Sequence, residues 1–147
     1  MMRLEVQRLN LQIGEQKICD DLTLKVKPGE VWSVLGRNGV GKTTLLHTLA
    51  GLRDPLGGQI KLDGVALNSL ATKTRGQKVS ILFQQSQAPI STDAYDFVMS
   101  ARHPWISRWA GPTRGDQDIV VESLSQMGLD ALMHRDVNSL SGGERRR

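Results

Sequence analysis

An apolar run that ends in a glycine loop constrains this chain more than any other feature. Val31-Trp32-Ser33-Val34-Leu35 reads as a strand buried on both faces, and it runs directly into Gly36-Arg37-Asn38-Gly39-Val40-Gly41-Lys42-Thr43. Those residues fit the phosphate-loop pattern GxxxxGK[ST] at every required position. The stretch from Thr43 to Ala50 then reads as a helix closed by Gly51. Strand, glycine loop and helix in succession are the context in which such a loop cradles the phosphates of a nucleoside triphosphate.

The chemistry explains the residue types. A triphosphate carries about four negative charges, which must be met without a bulky wall in the way. Gly36, Gly39 and Gly41 let the backbone curl so that successive N–H groups point inward and phosphate oxygens approach closely. Arg37, Asn38 and Val40 complete the loop. Lys42 supplies a flexible point charge to the β- and γ-phosphates, beside the positive end of the following helix. The Thr43 hydroxyl is placed to ligate Mg²⁺, and Thr44 can reach the α-phosphate. ATP and Mg²⁺ are therefore the expected ligands.

At 147 residues and 39% hydrophobic, the chain can build one ordinary core. No apolar run approaches the ~20 residues of a membrane helix, and Met1 to Val6 has no apolar block of signal-peptide type. A soluble protein is expected, with any membrane role acting through a partner. The single cysteine, Cys19, excludes an internal disulfide and reads as a small buried hydrophobe. The net charge of +4 raises nucleic acid as a partner, but the only basic run is Arg145-Arg146-Arg147. With 4% aromatic residues and no basic–aromatic stacking pattern, no nucleic-acid binding is expected.

Along the chain, Leu9, Leu11 and Ile13 alternate, Gly14-Glu15 reads as a turn, and Leu22, Leu24 and Val26 alternate again. Pro28-Gly29 is a second turn. Gly57-Gly58 and Asp63-Gly64 bracket a strand from Gln59 to Leu62, and Val79 to Phe83 reads as another buried strand. Asp93 caps a helix with Asp96 three residues on, and Pro104 ends it. A loop rich in Gly, Pro, Arg and Trp follows to about Gly115, with Trp105 and Trp109 packing locally. Val120, Leu124 and Met127 then line one helix face, with Gly128 as its cap. The expected organisation is a β-rich nucleotide-binding core over residues 1–85, a helical subdomain over 86–139, and the start of a further helix over 140–147.

The second diagnostic motif, Leu140-Ser141-Gly142-Gly143-Glu144, stands about 100 residues beyond the first, followed by the three arginines. Ser141 offers a hydroxyl, and the glycines open a helix N-terminus whose unpaired N–H groups can meet a phosphate. The two motifs in this order resemble the ATP-binding-cassette (ABC) ATPases over essentially the whole chain. The resemblance implies an α/β phosphate-loop NTPase of ABC type, with a β-rich core and a helical subdomain. It implies that Leu140 to Glu144 contact ATP held by a second copy, so that two subunits stack head to tail. Val79-Ser80-Ile81-Leu82-Phe83-Gln84 resembles the family's Q-loop junction; Gln84 would then touch Mg²⁺ or the attacking water and relay nucleotide state to a permease. Ala101-Arg102-His103-Pro104-Trp105 is similar to a stretch of importer ATPases for iron–siderophores, haem and cobalamin, where this face would dock a permease coupling helix.

The resemblance thus implies an ATP-hydrolysing importer subunit on the inner face of the cell membrane. Its partners would be permease subunits, a second ATP-binding subunit and, indirectly, a periplasmic or surface binding protein. A soluble ABC protein acting on ribosomes or DNA, or a non-catalytic remnant, are the other readings of the same motifs. Two departures stand out. Ile13 occupies the position where the family presents an aromatic side chain to adenine, a stacking contact typically worth ~1–3 kcal/mol. After Arg147 the family would continue with the Walker B strand, its Asp, the catalytic Glu and a switch His, so no catalytic base is assigned in this sequence and the fold is expected to be incomplete at the C-terminus. The missing strand would neighbour Val31 to Leu35, whose apolar edge is then expected to be exposed. His47, His103 and His134 read as surface or packing residues.

Overall fold

A computed structural model describes residues 3–83 and 91–147. The chain forms two compact units, Met1–Ile81 and Leu82–Arg147.

The first unit is built on a four-stranded antiparallel sheet in the order β2-β1-β3-β4. Strands β1 (Leu4–Ile13) and β2 (Gln16–Val26) form the hairpin expected around Gly14-Glu15. Leu4 lies opposite Val26, Val6 opposite Leu24 and Leu9 opposite Leu22. The register shifts between Val6 and Leu9, where Arg8 adopts φ 48°. That bulge inserts one residue, so Val6, Leu9 and Leu11 all face the core, which strict alternation would forbid. Ile13, the last of the predicted alternating set, is instead 44% exposed.

Strand β3 (Gly57–Leu62) pairs with β1, and β4 (Val65–Ala66) returns through an Asp63-Gly64 turn. Both turn residues have positive φ, 52° and 81°, which the right-handed twist of a two-residue hairpin requires. The Asp63 carboxylate accepts the Arg3 N–H at 2.8 Å, tying this turn to the start of β1. Helix α1 (Lys42–Leu49) lays Leu45 and Leu49 on the core of Val6, Leu9, Leu11, Ile60, Leu62 and Leu67. Thr48 is fully buried there and donates its hydroxyl to the Thr44 carbonyl at 2.9 Å. Helix α2 (Thr72–Lys78) has no buried residue, which is why no apolar periodicity announced it.

Two predicted strands are absent. Val31 to Leu35 joins no ladder, and Val31 and Leu35 are 94% and 90% exposed. Val79 to Phe83 is also outside any strand, with Leu82 exposed. A run that is apolar on both faces becomes a strand only when hydrogen-bonding neighbours and packed layers cover it. Among the described residues no strand pairs with either run.

The second unit packs α3 (Ala94–Ser100) against α4 (Arg114–Gln126) around Ala94, Val120, Leu124, Leu129 and Val137. Asp93 caps α3 as expected, accepting the Asp96 N–H at 2.7 Å. The start of α3 is also held by backbone bonds from Ala94 to Arg135 and from Tyr95 to Met133. Helix α4 begins in a reciprocal capping box between Thr113 and Asp116, and Gly128 follows its end with φ 66°. Val120 and Leu124 are buried, whereas Met127, the residue after the last turn, is half exposed, so the predicted third member of that face leaves the core.

Candidate functional site

Two of the three loop glycines adopt left-handed backbone. Gly39 and Gly41 have φ of 82° and 106°, and Gly41 is the residue immediately before α1. Its carbonyl accepts the Leu45 N–H at 2.9 Å, which starts the helix. The Lys42 ammonium folds back across the loop and donates to the carbonyls of Gly36 at 2.8 Å and Arg37 at 2.9 Å. The Val40 N–H points to the Arg37 carbonyl at 3.4 Å, closing the turn between Arg37, Asn38 and Gly39. Thr43 lies exposed in the first helical turn, with Thr44 half-buried behind it.

Two supporting residues had no signal in the sequence. Gln16, at the start of β2, donates its side-chain amide to the Gly39 carbonyl at 3.2 Å. Ile18, two residues on, packs so closely on Gly41 that a Cβ there would meet three of its carbons at 2.6–2.9 Å. The β1–β2 hairpin therefore forms the wall against which the loop closes. Only its position in the fold reveals this, because neither residue belongs to a motif.

The donor set fits a polyphosphate: one ammonium held over the loop, the N–H groups of the first turn of α1, and an exposed hydroxyl at Thr43. The same hydroxyl fits a magnesium ion shared with phosphate oxygens, since hard oxygen donors suit that cation. Gln84, the other predicted Mg²⁺ contact, lies outside the described residues. A cavity of about 150 Å³ opens beside the far end of α1, between Thr48, Gly51, Arg53, Leu67 and Arg75. No residue of the phosphate loop lines it.

The second motif is anchored by Leu140, buried at the end of a 3₁₀ turn over Val137–Ser139. Ser141 and Glu144 then cap each other: the Ser141 N–H donates to the Glu144 carboxylate at 2.7 Å, and the Glu144 N–H to the Ser141 hydroxyl at 3.2 Å. The Ser141 hydroxyl, first, and its N–H hold the Glu144 carboxyl below its ordinary pKa. Gly142 and Gly143 lie between them with open space where a side chain would stand. Arg145 ties the turn down through the carbonyls of Asn138 at 3.0 Å and Leu140 at 3.2 Å. The following Glu144–Arg146 segment is a 3₁₀ turn rather than the first turn of an α-helix. Leu140 to Glu144 thus forms a glycine-opened turn closed by the Ser141–Glu144 pair.

The 101–113 loop carries a third cluster. Arg102 donates two bonds to the Asp116 carboxylate, at 3.1 and 2.9 Å, and its guanidinium lies 4.5 Å from the centre of the Trp105 ring. The Thr113 hydroxyl, then the Thr113 N–H, then Arg102 hold the Asp116 carboxyl below the usual aspartate range. Arg108 stands 6.0 Å over Trp109. Two arginine–tryptophan pairs therefore exist that the linear pattern did not show, and Trp109, expected to pack locally, is 92% exposed. His134 faces the Asp93 carboxylate at 3.3 Å, beside Tyr95. Cys19 lies within β2, half-buried, with its thiol directed at the Leu9 carbonyl; burial pushes its pKa up, as for an inert thiol.

Comparison with known proteins now adds to this geometry. The family described as ABC transporter matches residues 19–147. The chain belongs to that family. It is 39% identical over 147 residues to the petrobactin import ATP-binding protein FpuD of Bacillus anthracis, covering 98% of this chain and 53% of that protein. It is 35% identical to the hemin import ATP-binding protein HmuV of Pseudomonas entomophila, covering 98% and 55%, and 30% identical to the ferric enterobactin transport ATP-binding protein FepC of Escherichia coli, covering 99% and 54%. The chain spans about half the length of the curated relatives it matches.

Solved structures agree on the fold. An inward-facing metal-chelate type ABC transporter superposes with a TM-score of 0.75 at 27% identity, over 99% of this chain and 52% of that one. The dimeric ATP-binding cassette MJ0796, bound to ADP and Pi, gives 0.79 at 26% identity, over 97% and 65%. The expected phosphate-loop fold of ABC type is thereby established.

Proposed function

We propose that this chain is the phosphate-binding portion of an ATP-binding subunit that energises import of an iron–siderophore, haem or cobalamin-type substrate. One observation carries the nucleotide reading: the Lys42 ammonium is held over the mouth of a glycine loop by the Gly36 and Arg37 carbonyls, ready to exchange them for phosphate oxygens. Gly36 to Gly41 would line the phosphates, Thr44 would stand nearest the α-phosphate, and Thr43 would hold Mg²⁺, with Gln84 as its second protein contact. The ion, when bound, neutralises charge between phosphate oxygens.

The importer assignment rests on the names of the relatives, which are siderophore, haem and cobalamin import ATP-binding proteins. A second copy would contribute Leu140 to Glu144 to each nucleotide, and the reciprocal Ser141–Glu144 cap supports that role by fixing the conformation of the exposed turn. Permease subunits would bind on the cytoplasmic side of the membrane, with a substrate-binding protein acting through them. Hydrolysis belongs to the whole protein in this reading, because none of these residues is assigned as a general base.

Titration of Mg²⁺-ATP into the chain tests the proposal, with Lys42→Ala measured alongside. Saturable binding that weakens at least about tenfold in the variant is expected, from the loss of one charge-assisted phosphate contact of about 1.5–3 kcal/mol. Equal binding by both proteins would refute the site.

A further inference from the structure

The tip of the β1–β2 hairpin stands beside the phosphate loop. Gln16 donates its side-chain amide to the Gly39 carbonyl at 3.2 Å, which brings the turn from Ile13 to Gln16 against the loop. Ile13 lies directly opposite Gln16 across the hairpin. Residues directly opposite in an antiparallel pair share a face, so the exposed Ile13 side chain lies on the side from which Gln16 reaches Gly39. A nucleotide whose phosphates fill the loop extends its ribose and base past the loop's rim, and this face of the hairpin flanks that rim.

The hairpin offers an aliphatic surface there, and its polar groups are already engaged. Gln12 gives its amide to the Gly14 carbonyl at 2.6 Å, and Gln16 gives its own to Gly39. Arg53 turns to the Gln12 carbonyl at 3.4 Å, and Lys17 pairs with Asp20. Trp32, the one aromatic residue between Met1 and Ile81, is tied elsewhere. Its indole N–H donates at 3.0 Å to Glu30, which also accepts the Lys27 N–H, beyond the end of β2 remote from the tip. Selectivity on the order of 10⁴-fold arises where the wrong ligand leaves a polar partner unpaired, and an aliphatic contact yields far less.

Building on the nucleotide reading above, we infer that the base of a bound nucleotide lies over Ile13 and is not read. The site then takes nucleoside triphosphates irrespective of base, and its specificity ends at the phosphates.

The test is calorimetric titration of the chain with ATP, GTP, CTP, UTP and inorganic tripolyphosphate, each with equimolar Mg²⁺. The wild type, Ile13→Tyr and Lys42→Ala are compared. The nucleotides should bind the wild type within about threefold of one another, and tripolyphosphate within about tenfold of them. Ile13→Tyr should tighten every nucleotide about fivefold or more by adding a stacking face, and leave tripolyphosphate unchanged. A thermal melt checks that this variant keeps its fold, as expected for an exposed side chain, and the wild-type series stands without it. Lys42-dependent binding that favours one base by more than about tenfold would overturn the inference alone. Loss of that preference in Glu15→Gln would then name the carboxylate in the turn as the reader. Nucleotide affinities unmoved by Ile13→Tyr would also overturn it, by placing the base elsewhere. No binding of any polyphosphate, or binding indifferent to Lys42→Ala, would remove the nucleotide site together with it.

Discussion

Gly41→Ala isolates the contact between the phosphate loop and the hairpin that supports it. The backbone at position 41 has φ 106° and ψ 11°, a conformation that costs a residue with a Cβ about 1–2 kcal/mol. The new methyl would also sit 2.6, 2.8 and 2.9 Å from three carbons of Ile18. Overpacking of that kind costs about 1–3 kcal/mol, because the β-branched Ile18 on β2 has few χ1 rotamers to retreat to. The sum is about 2–5 kcal/mol, or a fall of about 6–15 °C in the melting temperature for a chain of this size. Ile18→Ala removes all three contacted carbons but leaves φ unchanged. In a double-mutant cycle the pair should therefore show a favourable coupling of about 1–3 kcal/mol, with the backbone penalty remaining. Urea unfolding followed by Trp32 fluorescence, with Trp105 and Trp109 replaced by Phe, reports on this unit alone. Mg²⁺-ATP affinity should follow the same order, since the loop cannot close on Lys42 while Gly41 is displaced. Coupling within about 0.5 kcal/mol of zero would refute the idea that the hairpin sets the loop's position.

Gly58→Ala provides the contrast: at φ 84°, a Cβ would lie 2.2 Å from the Arg8 carbonyl oxygen and 2.5 Å from its carbon. Both atoms are backbone at the β1 bulge, so no side-chain deletion can rescue the variant; a loss of at least about 3 kcal/mol in the same unfolding assay is expected, and a neutral result would mean that β3 does not cross β1 there. The Asp116 carboxyl is held below its ordinary value of 3.8, by the Thr113 hydroxyl, then the Thr113 N–H, then Arg102. A depressed folded pKa stabilises the fold above pH ~4 and loses that contribution as the pH falls through the folded value. Acid melts followed by Trp105 fluorescence should therefore show a decline below pH ~4 that is reduced in Asp116→Asn; an identical decline in the variant would assign it to other carboxylates such as Asp136.

What could be read in advance was local. The hairpin around Gly14-Glu15, the Asp63-Gly64 turn, the Asp93 cap and the helix after Lys42 each follow from residues within a few positions of one another, because turn geometry, capping and one helical face are decided over that range. The phosphate loop and Leu140 to Glu144 were equally plain, since each carries its donors in one short run. Helix α2 left no trace because none of its residues is buried. The β1 bulge was invisible because a single inserted residue at Arg8 changes which side chains face inward without changing composition.

Sequence by itself supplied the chemistry proposed for the site: a lysine, a hydroxyl and glycines in the phosphate-loop spacing, and a second glycine-opened motif. Tertiary structure alone decided what stands behind those residues. Gln16 and Ile18 reach the loop because the hairpin folds over it, and Arg102 reaches Asp116 because a loop brings it to the helix cap. It also decided that Val31 to Leu35 and Val79 to Phe83, apolar enough for strands, form none among the described residues. The physical reason is common to all of these: a side chain's identity fixes what it can bond or bury, whereas whether it does so depends on which distant backbone arrives beside it.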